Sequence, residues 1–318
     1  MPVDPFVQQM LPVPPMPDPL EDWDAYRAEG RAQLAALVGA VMQPAPDGVQ
    51  TSRVDLPVEG GSIVLSVHRP VDQTGPLPGH LYLHGGGWVA GDGDSPAQDI
   101  ICAERAVGAQ CIVVAADYRK APEHAFPTGL DDCLAALTWM VDHADDLGLD
   151  TDRISVGGGS AGANLAAALT LRVRDEGGPR LHFQLLEVPA LDLTLSLPSH
   201  NDESLGTEYA LAASDVRRLI DLYLQGADPT HPYASPLLAD DLTGLPPAHI
   251  MSAEYDLLRD DGQRYAQRLN DAGVPATFTL GRGHVHLSPS FTAVMPSARE
   301  WRDEVIHTLT AANARRPA

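Results

Sequence analysis

Cysteine is scarce in this chain: Cys102, Cys111 and Cys133 are the only three in 318 residues, and no two of them form a C-x-x-C pair. That odd count and spacing exclude a disulfide scaffold and a zinc cluster, and read as reduced, buried thiols. Basic residues are also few, 21 Lys and Arg against 43 Asp and Glu, for a formal charge of −22. Binding to nucleic acid or to an anionic membrane surface needs clustered cations, so both are excluded as partners. No apolar run approaches the roughly 18 residues of a membrane span. The opening MPVDPFVQQMLPVPPMPDPL lacks the basic start and unbroken apolar stretch of a secretory signal. A cytoplasmic location is therefore expected. Aromatic residues make up only 5% of the chain, and no long apolar segment marks a protein built to seek an oil interface.

What remains is an ordinary globular composition, 44% hydrophobic and 20% charged, sufficient to bury a large core. After the Pro-rich opening, EDWDAYRAEGRAQLAALVGAV (21–41) has apolar residues at helical spacing. Beyond it strands and helices alternate. Strands are expected at 62–69, 80–84, 111–117, 154–158, 183–188, 248–253 and 276–280, and helices at 97–109, 130–147, 161–176, 260–273 and 297–313. The alternation predicts an α/β fold, a mostly parallel central sheet with helices on both faces. Residues 190–230 break the rhythm with a polar loop and a helix too long for a simple connection. They read as a helical cap inserted over the sheet, with residues 1–50 an arm and helix contributing to it and 51–318 the main domain.

Glycine is concentrated where the chemistry is expected. In VGGGSAGANLA (156–166), Ser160 follows a strand and precedes a helix, in the form Gly158-Gly159-Ser160-Ala161-Gly162. A G-x-S-x-G turn between strand and helix presents a nucleophilic serine, and its tightness demands flanking residues without bulk. A second glycine cluster, LYLHGGGWVAGD (81–92), directly follows another strand. There the N–H groups of Gly85 and Gly86 would join that of Ala161 around a carbonyl oxygen, an oxyanion hole. His84 reads as a structural residue tying that loop in place. Serine needs a base, and in such folds the order is Ser, then an acid, then His. Asp256 follows the strand at 248–253, whereas Asp260 and Asp261 read as first-turn residues favouring a helix dipole. His286 follows the strand at 276–280, with His284 two positions away, and spacing alone leaves either as the base.

Four motifs occur in order: HGGGW (84–88), DYRKAPEHAFP (117–127), GGGSAGANLAA (157–167) and AEYDLLRDDG (253–262). With them the chain resembles the hormone-sensitive-lipase-like family of α/β-hydrolases, the bacterial carboxylesterases, from about residue 60 to the C-terminal helix. The resemblance implies an α/β-hydrolase fold with a helical cap. It also implies Ser160 as nucleophile, Asp256 as acid and His286 as base, His284 then standing where the family has an apolar residue. Arg119, Glu123 and His124 would form a network locking the loop beneath the oxyanion strand. Four positions depart from the family: Gly159 where it carries Asp or Thr, Leu257 where it carries Pro, and Leu287 and Ser288 where it carries Gly-Phe.

The expected activity is a serine carboxylesterase acting on short to medium acyl esters through an acyl-enzyme, without metal or organic cofactor. A hydrolase or acyltransferase for amides, lactones or natural-product esters is the alternative, and a ligand-binding member without catalysis is a weaker one because every catalytic residue type is present. Trp88, Leu205, Tyr209 and Leu211 are candidates for an apolar substrate pocket. The partner is a small-molecule ester, and the resemblance allows a homodimer through C-terminal elements.

Overall fold

The computed structural model describes residues 3, 5–10, 22–71, 73, 75–202, 204–205 and 211–314. Unbroken apolar runs form its central strands. β3 (Leu77–Leu83) and β6 (Phe183–Glu187) are buried at every residue, and β4 (Ile112–Asp117) at all but the last, as strands covered on both faces must be. With β1 (Val49–Val58), β2 (Gly61–Pro70), β5 (Leu149–Gly159), β7 (Ala248–Tyr255) and β8 (Ala276–Val285) they make one eight-stranded sheet, ordered β1-β2-β4-β3-β5-β6-β7-β8. Strands β4, β3, β5, β6, β7 and β8 run parallel, while β2 is antiparallel to both neighbours. The expected α/β architecture and every expected strand are present. β1 is the strand that sequence reading passes over. Its residues are mostly solvent-facing and include Pro57, and it lies at the sheet edge, where neither feature is penalised.

Side chains alternate along the strands and divide the core in two. One face carries Leu81, Val114, Val156, Leu186 and Ile250 against α4 (Thr128–Asp142), α6 (Ala161–Glu176) and α8 (Arg259–Asp271). The other carries Tyr82, Val113, Ala115, Leu185 and Met251 against α3 (Pro96–Ala109) and α9 (Pro296–Ala314). The helix expected over 130–147 is interrupted at His143, and a further turn, α5 (Ala144–Leu147), ends on Gly148 at φ 63°. Before the sheet come a short helix, α1 (Pro5–Met10), and the expected N-terminal helix, α2 (Trp23–Val41). Between β6 and β7 lies α7 (Ala213–Leu224), which buries Val216, Ile220, Tyr223 and Leu224. None of the described helices is long and apolar enough to cross a membrane.

Candidate active site

The carboxyl ends of parallel strands β3, β5, β7 and β8 deliver the groups of interest. β5 ends at Gly159 and α6 starts at Ala161, so Ser160 is the turn between them, with φ at 57°. A residue with a side chain adopts that conformation rarely and at a cost. Its backbone is held on both sides: Ser160 N–H donates to the Glu187 carbonyl at 2.9 Å, and the Ser160 carbonyl accepts from Asn164 N–H at 3.0 Å. A Cβ on Gly158 or Gly162 would lie 2.3 Å or 2.0 Å from the Leu83 carbonyl oxygen, so both positions must be glycine. Gly159 is different, because a Cβ there would meet nothing nearer than the Glu187 oxygen at 4.0 Å. The expectation that every flanking position must lack bulk is therefore corrected at Gly159.

Asp256 directly follows β7 and His286 directly follows β8. His286 Nε2 lies 2.8 Å from Ser160 Oγ, and its Nδ1 lies 2.7 Å from Asp256 Oδ2. Facing a carboxylate, Nδ1 is the donor, which leaves Nε2 to accept from the serine hydroxyl. Asp256 is 1% exposed, and its second oxygen accepts Leu258 N–H at 2.9 Å, the satisfaction a buried carboxylate requires. His284, the other histidine allowed by spacing, turns away from this line: its Nδ1 sits 2.9 Å from Ser288 Oγ and its ring packs beside Trp301.

Gly85 and Gly86 follow β3, and the loop passes directly over the serine turn. A Cβ on Gly85 would sit 3.0 Å from the Gly159 oxygen, and one on Gly86, at φ 128°, 2.2 Å from the Ala90 oxygen. Among the described residues no acceptor takes the N–H of Gly85 or Gly86. Ala161 opens α6, where an N–H has no partner within the helix. These donors are therefore available to an anion beside Ser160. His84 braces the loop. Its ring stacks on Tyr118 at 4.3 Å, with Nδ1 2.8 Å from the Gly85 oxygen and Nε2 3.3 Å from Asp117. Carboxylates of Asp92, Asp94 and Asp117 converge just beyond it. Burial first, then the neighbouring Asp94 and Asp117, push the Asp92 carboxyl up to about 7, while Lys120 Nζ, 2.6 Å from Asp117, already supplies a cation.

Several residues do not stand where the sequence suggested. Arg119, Glu123 and His124 form no common network. Arg119 pairs with buried Asp132 at 2.7 Å, and Glu123 pairs at 2.6 Å with Arg27 of α2. Arg27 also donates to the carbonyls of Val89 and Ala121, a brace on the HGGGW loop that its place in α2 gave no sign of. Trp88 is 4% exposed, stacked at 4.6 Å on Tyr223 of α7 with Nε1 on Asn164 Oδ1; it packs rather than lining an open pocket. Leu205 is buried, Leu211 is half-buried against the main core, and Tyr209 lies outside the described residues. Asp260 and Asp261 do open α8, but Asp261 is fully buried, with His200 Nε2 at 2.5 Å and the N–H groups of Leu191 and Asp192 on its other oxygen. It clamps the segment leaving β6.

The model of the alpha/beta hydrolase fold family matches residues 80–289. A carboxylesterase of Mycobacterium tuberculosis, NlhH, is 45% identical over 232 residues, 70% of this chain and 70% of the relative. An arylesterase of Saccharolobus solfataricus is 34% identical over 90% of this chain and 92% of its own. Among solved structures, the esterase of Pyrobaculum calidifontis superposes with a TM-score of 0.89 at 34% identity, covering 98% of this chain and all 100% of that one. The chain belongs to the α/β-hydrolase fold family, in its hormone-sensitive-lipase-like carboxylesterase branch, and is a carboxylic ester hydrolase.

Proposed function

We propose that Ser160, His286 and Asp256 carry out ester hydrolysis in two acyl-transfer steps. The hydrogen-bonded line Asp256–His286–Ser160 carries this reading. His286 Nε2 takes the Ser160 proton as Oγ attacks the ester carbonyl, and Asp256 holds the ring in the required tautomer and stabilises its charged form. The N–H groups of Gly85, Gly86 and Ala161 stabilise the oxyanion of the tetrahedral intermediate. Its collapse releases the alcohol, protonated by His286, and leaves an acyl-Ser160 that water attacks with His286 again as base. α7 and α2 act as the cap: Leu219 of α7 packs so close to Gly87 that a Cβ there would sit 2.7 Å from its Cδ1, which seats α7 directly on the glycine loop that follows β3. That closeness supports short to medium acyl groups, and the arylesterase relative supports aryl alcohols as leaving groups. Three free, buried cysteines support a reducing, cytoplasmic setting.

Hydrolysis of p-nitrophenyl esters from acetyl to dodecanoyl tests the reading. Ser160→Ala and His286→Ala are expected to lose at least about 10³-fold in kcat, with His284→Ala retaining activity and the optimum falling at short chains. A dead His284→Ala beside an active His286→Ala would reassign the base.

A further inference from the structure

Gly159 and Glu187 are partners on one rung of the β5–β6 ladder, so side chains at the two positions share a face of the sheet. Position 159 is empty for lack of a side chain and not for lack of room. Across the rung stands a carboxylate, 8% exposed, gripped from two helices. Arg105 of α3 pairs with Glu187 Oε1, and Trp301 of α9 donates Nε1–H to Oε2 at 2.7 Å. The Arg105 guanidinium lies 4.3 Å from the Tyr82 ring centre, and its Nη1 has no acceptor among the described residues. A buried ion pair returns little more than its desolvation cost, so stability is a poor reason for keeping one.

What this pair holds is the end of β6. The carbonyl of Glu187 accepts the N–H of Ser160, and the next residue, Val188, stands at φ 41°, a strained conformation for a β-branched residue. Trp301 carries the same connection to the base. Its ring packs beside His284, whose Nδ1 meets Ser288 Oγ, and that oxygen also accepts Val285 N–H in the turn bearing His286. Gly281 makes this contact possible, since a Cβ there would sit 2.5 Å from the Trp301 ring.

We propose that Glu187 is a positioning residue for the esterase: gripped by Arg105 and Trp301, its carboxylate fixes the serine turn relative to the histidine turn from beneath the sheet. The proposal rests on Ser160 being the nucleophile. Its test is the rate at which a fluorophosphonate labels Ser160, followed by mass spectrometry, with kcat and KM on p-nitrophenyl acetate and the melting temperature measured alongside. The variants are Glu187→Gln, Trp301→Phe and the double substitution Gly159→Asp with Glu187→Gln, each assayed where circular dichroism shows it folded.

Misplacing the reacting groups costs rate, not ground-state binding. Labelling and kcat of Glu187→Gln are therefore expected to fall about tenfold or more, with KM within about twofold of the parent. In the double variant the substitution at position 159 returns a carboxylate to Arg105 from the neighbouring strand, and the rate is expected to recover to within about threefold. Trp301→Phe deletes one hydrogen bond and keeps an aromatic ring, so it carries the test if Glu187→Gln does not fold, with a loss of a few-fold expected. Folded Glu187→Gln or Trp301→Phe labelled at the parent rate would overturn the proposal, as would a double variant that regains melting temperature without regaining rate. A parent unlabelled at Ser160 overturns the hydrolytic assignment itself, and this proposal with it.

Discussion

Gly159 and Gly162 flank Ser160 and look equivalent in sequence, yet they answer to different constraints. At Gly162 an added Cβ would collide with the Leu83 carbonyl at 2.0 Å, a backbone atom that cannot step aside cheaply. Gly162→Ala is expected to cost at least about 1–3 kcal/mol. At Gly159 the nearest atom is 4.0 Å away and φ is unremarkable, so Gly159→Ala is expected to gain about 0.4–1 kcal/mol by restricting the unfolded chain. Urea unfolding of the two variants measures both, and a destabilised Gly159→Ala would refute the distinction. The motif announces glycines around a serine. Which of them is obligatory depends on where Leu83 lies, on another strand.

At the scale of elements, the HGGGW loop is held from outside the parallel sheet. α2 reaches it through Arg27 and α7 through Tyr223, whose ring stacks on Trp88. Tyr223 is 2% exposed and its hydroxyl has no partner among the described residues. Burial without a partner costs a hydroxyl free energy, so Tyr223→Phe is expected to be neutral or stabilising, by up to about 1 kcal/mol. Tyr223→Ala removes the stack and is expected to cost about 3–5 kcal/mol and to lower kcat as the loop loosens. Thermal melts of both variants decide this: a Tyr223→Phe that loses more than about 1 kcal/mol would show that the hydroxyl has a bonding role. Neither contact could be read from the sequence. HGGGW identifies its own loop, but nothing in DYRKAPEHAFP or in α7 states which residue meets it.

Across the whole molecule, 43 acidic residues face 21 basic ones, and a net charge this far from zero works against the compact state. Most of the ion pairs among the described residues involve at least one partly exposed partner and are individually weak, so the general repulsion is expected to outweigh them. Raising NaCl from about 0.02 to 0.5 M shortens the screening length from roughly 20 to 4 Å. The melting temperature is expected to rise by a few degrees over that range, as measured by scanning calorimetry. A fall would mean that local ion pairs, and not net repulsion, dominate.

By itself the sequence determined the α/β class, the boundaries of α6 to the residue, and the motifs in which Ser160, Asp256, Gly85 and Gly86 stand. These are local properties: apolar runs specify buried strands, and tight turns admit only small residues. Spacing left His284 and His286 open and the family resemblance pointed to His286, but the hydrogen-bonded line that joins His286 to Ser160 and Asp256, the burial of Trp88, the partners of Glu123 and Asp261, and the grip of Arg105 and Trp301 on Glu187 belong to the tertiary structure. Each joins residues tens to more than a hundred positions apart, and only the register of the sheet and the packing of helices on it bring such groups within hydrogen-bonding distance.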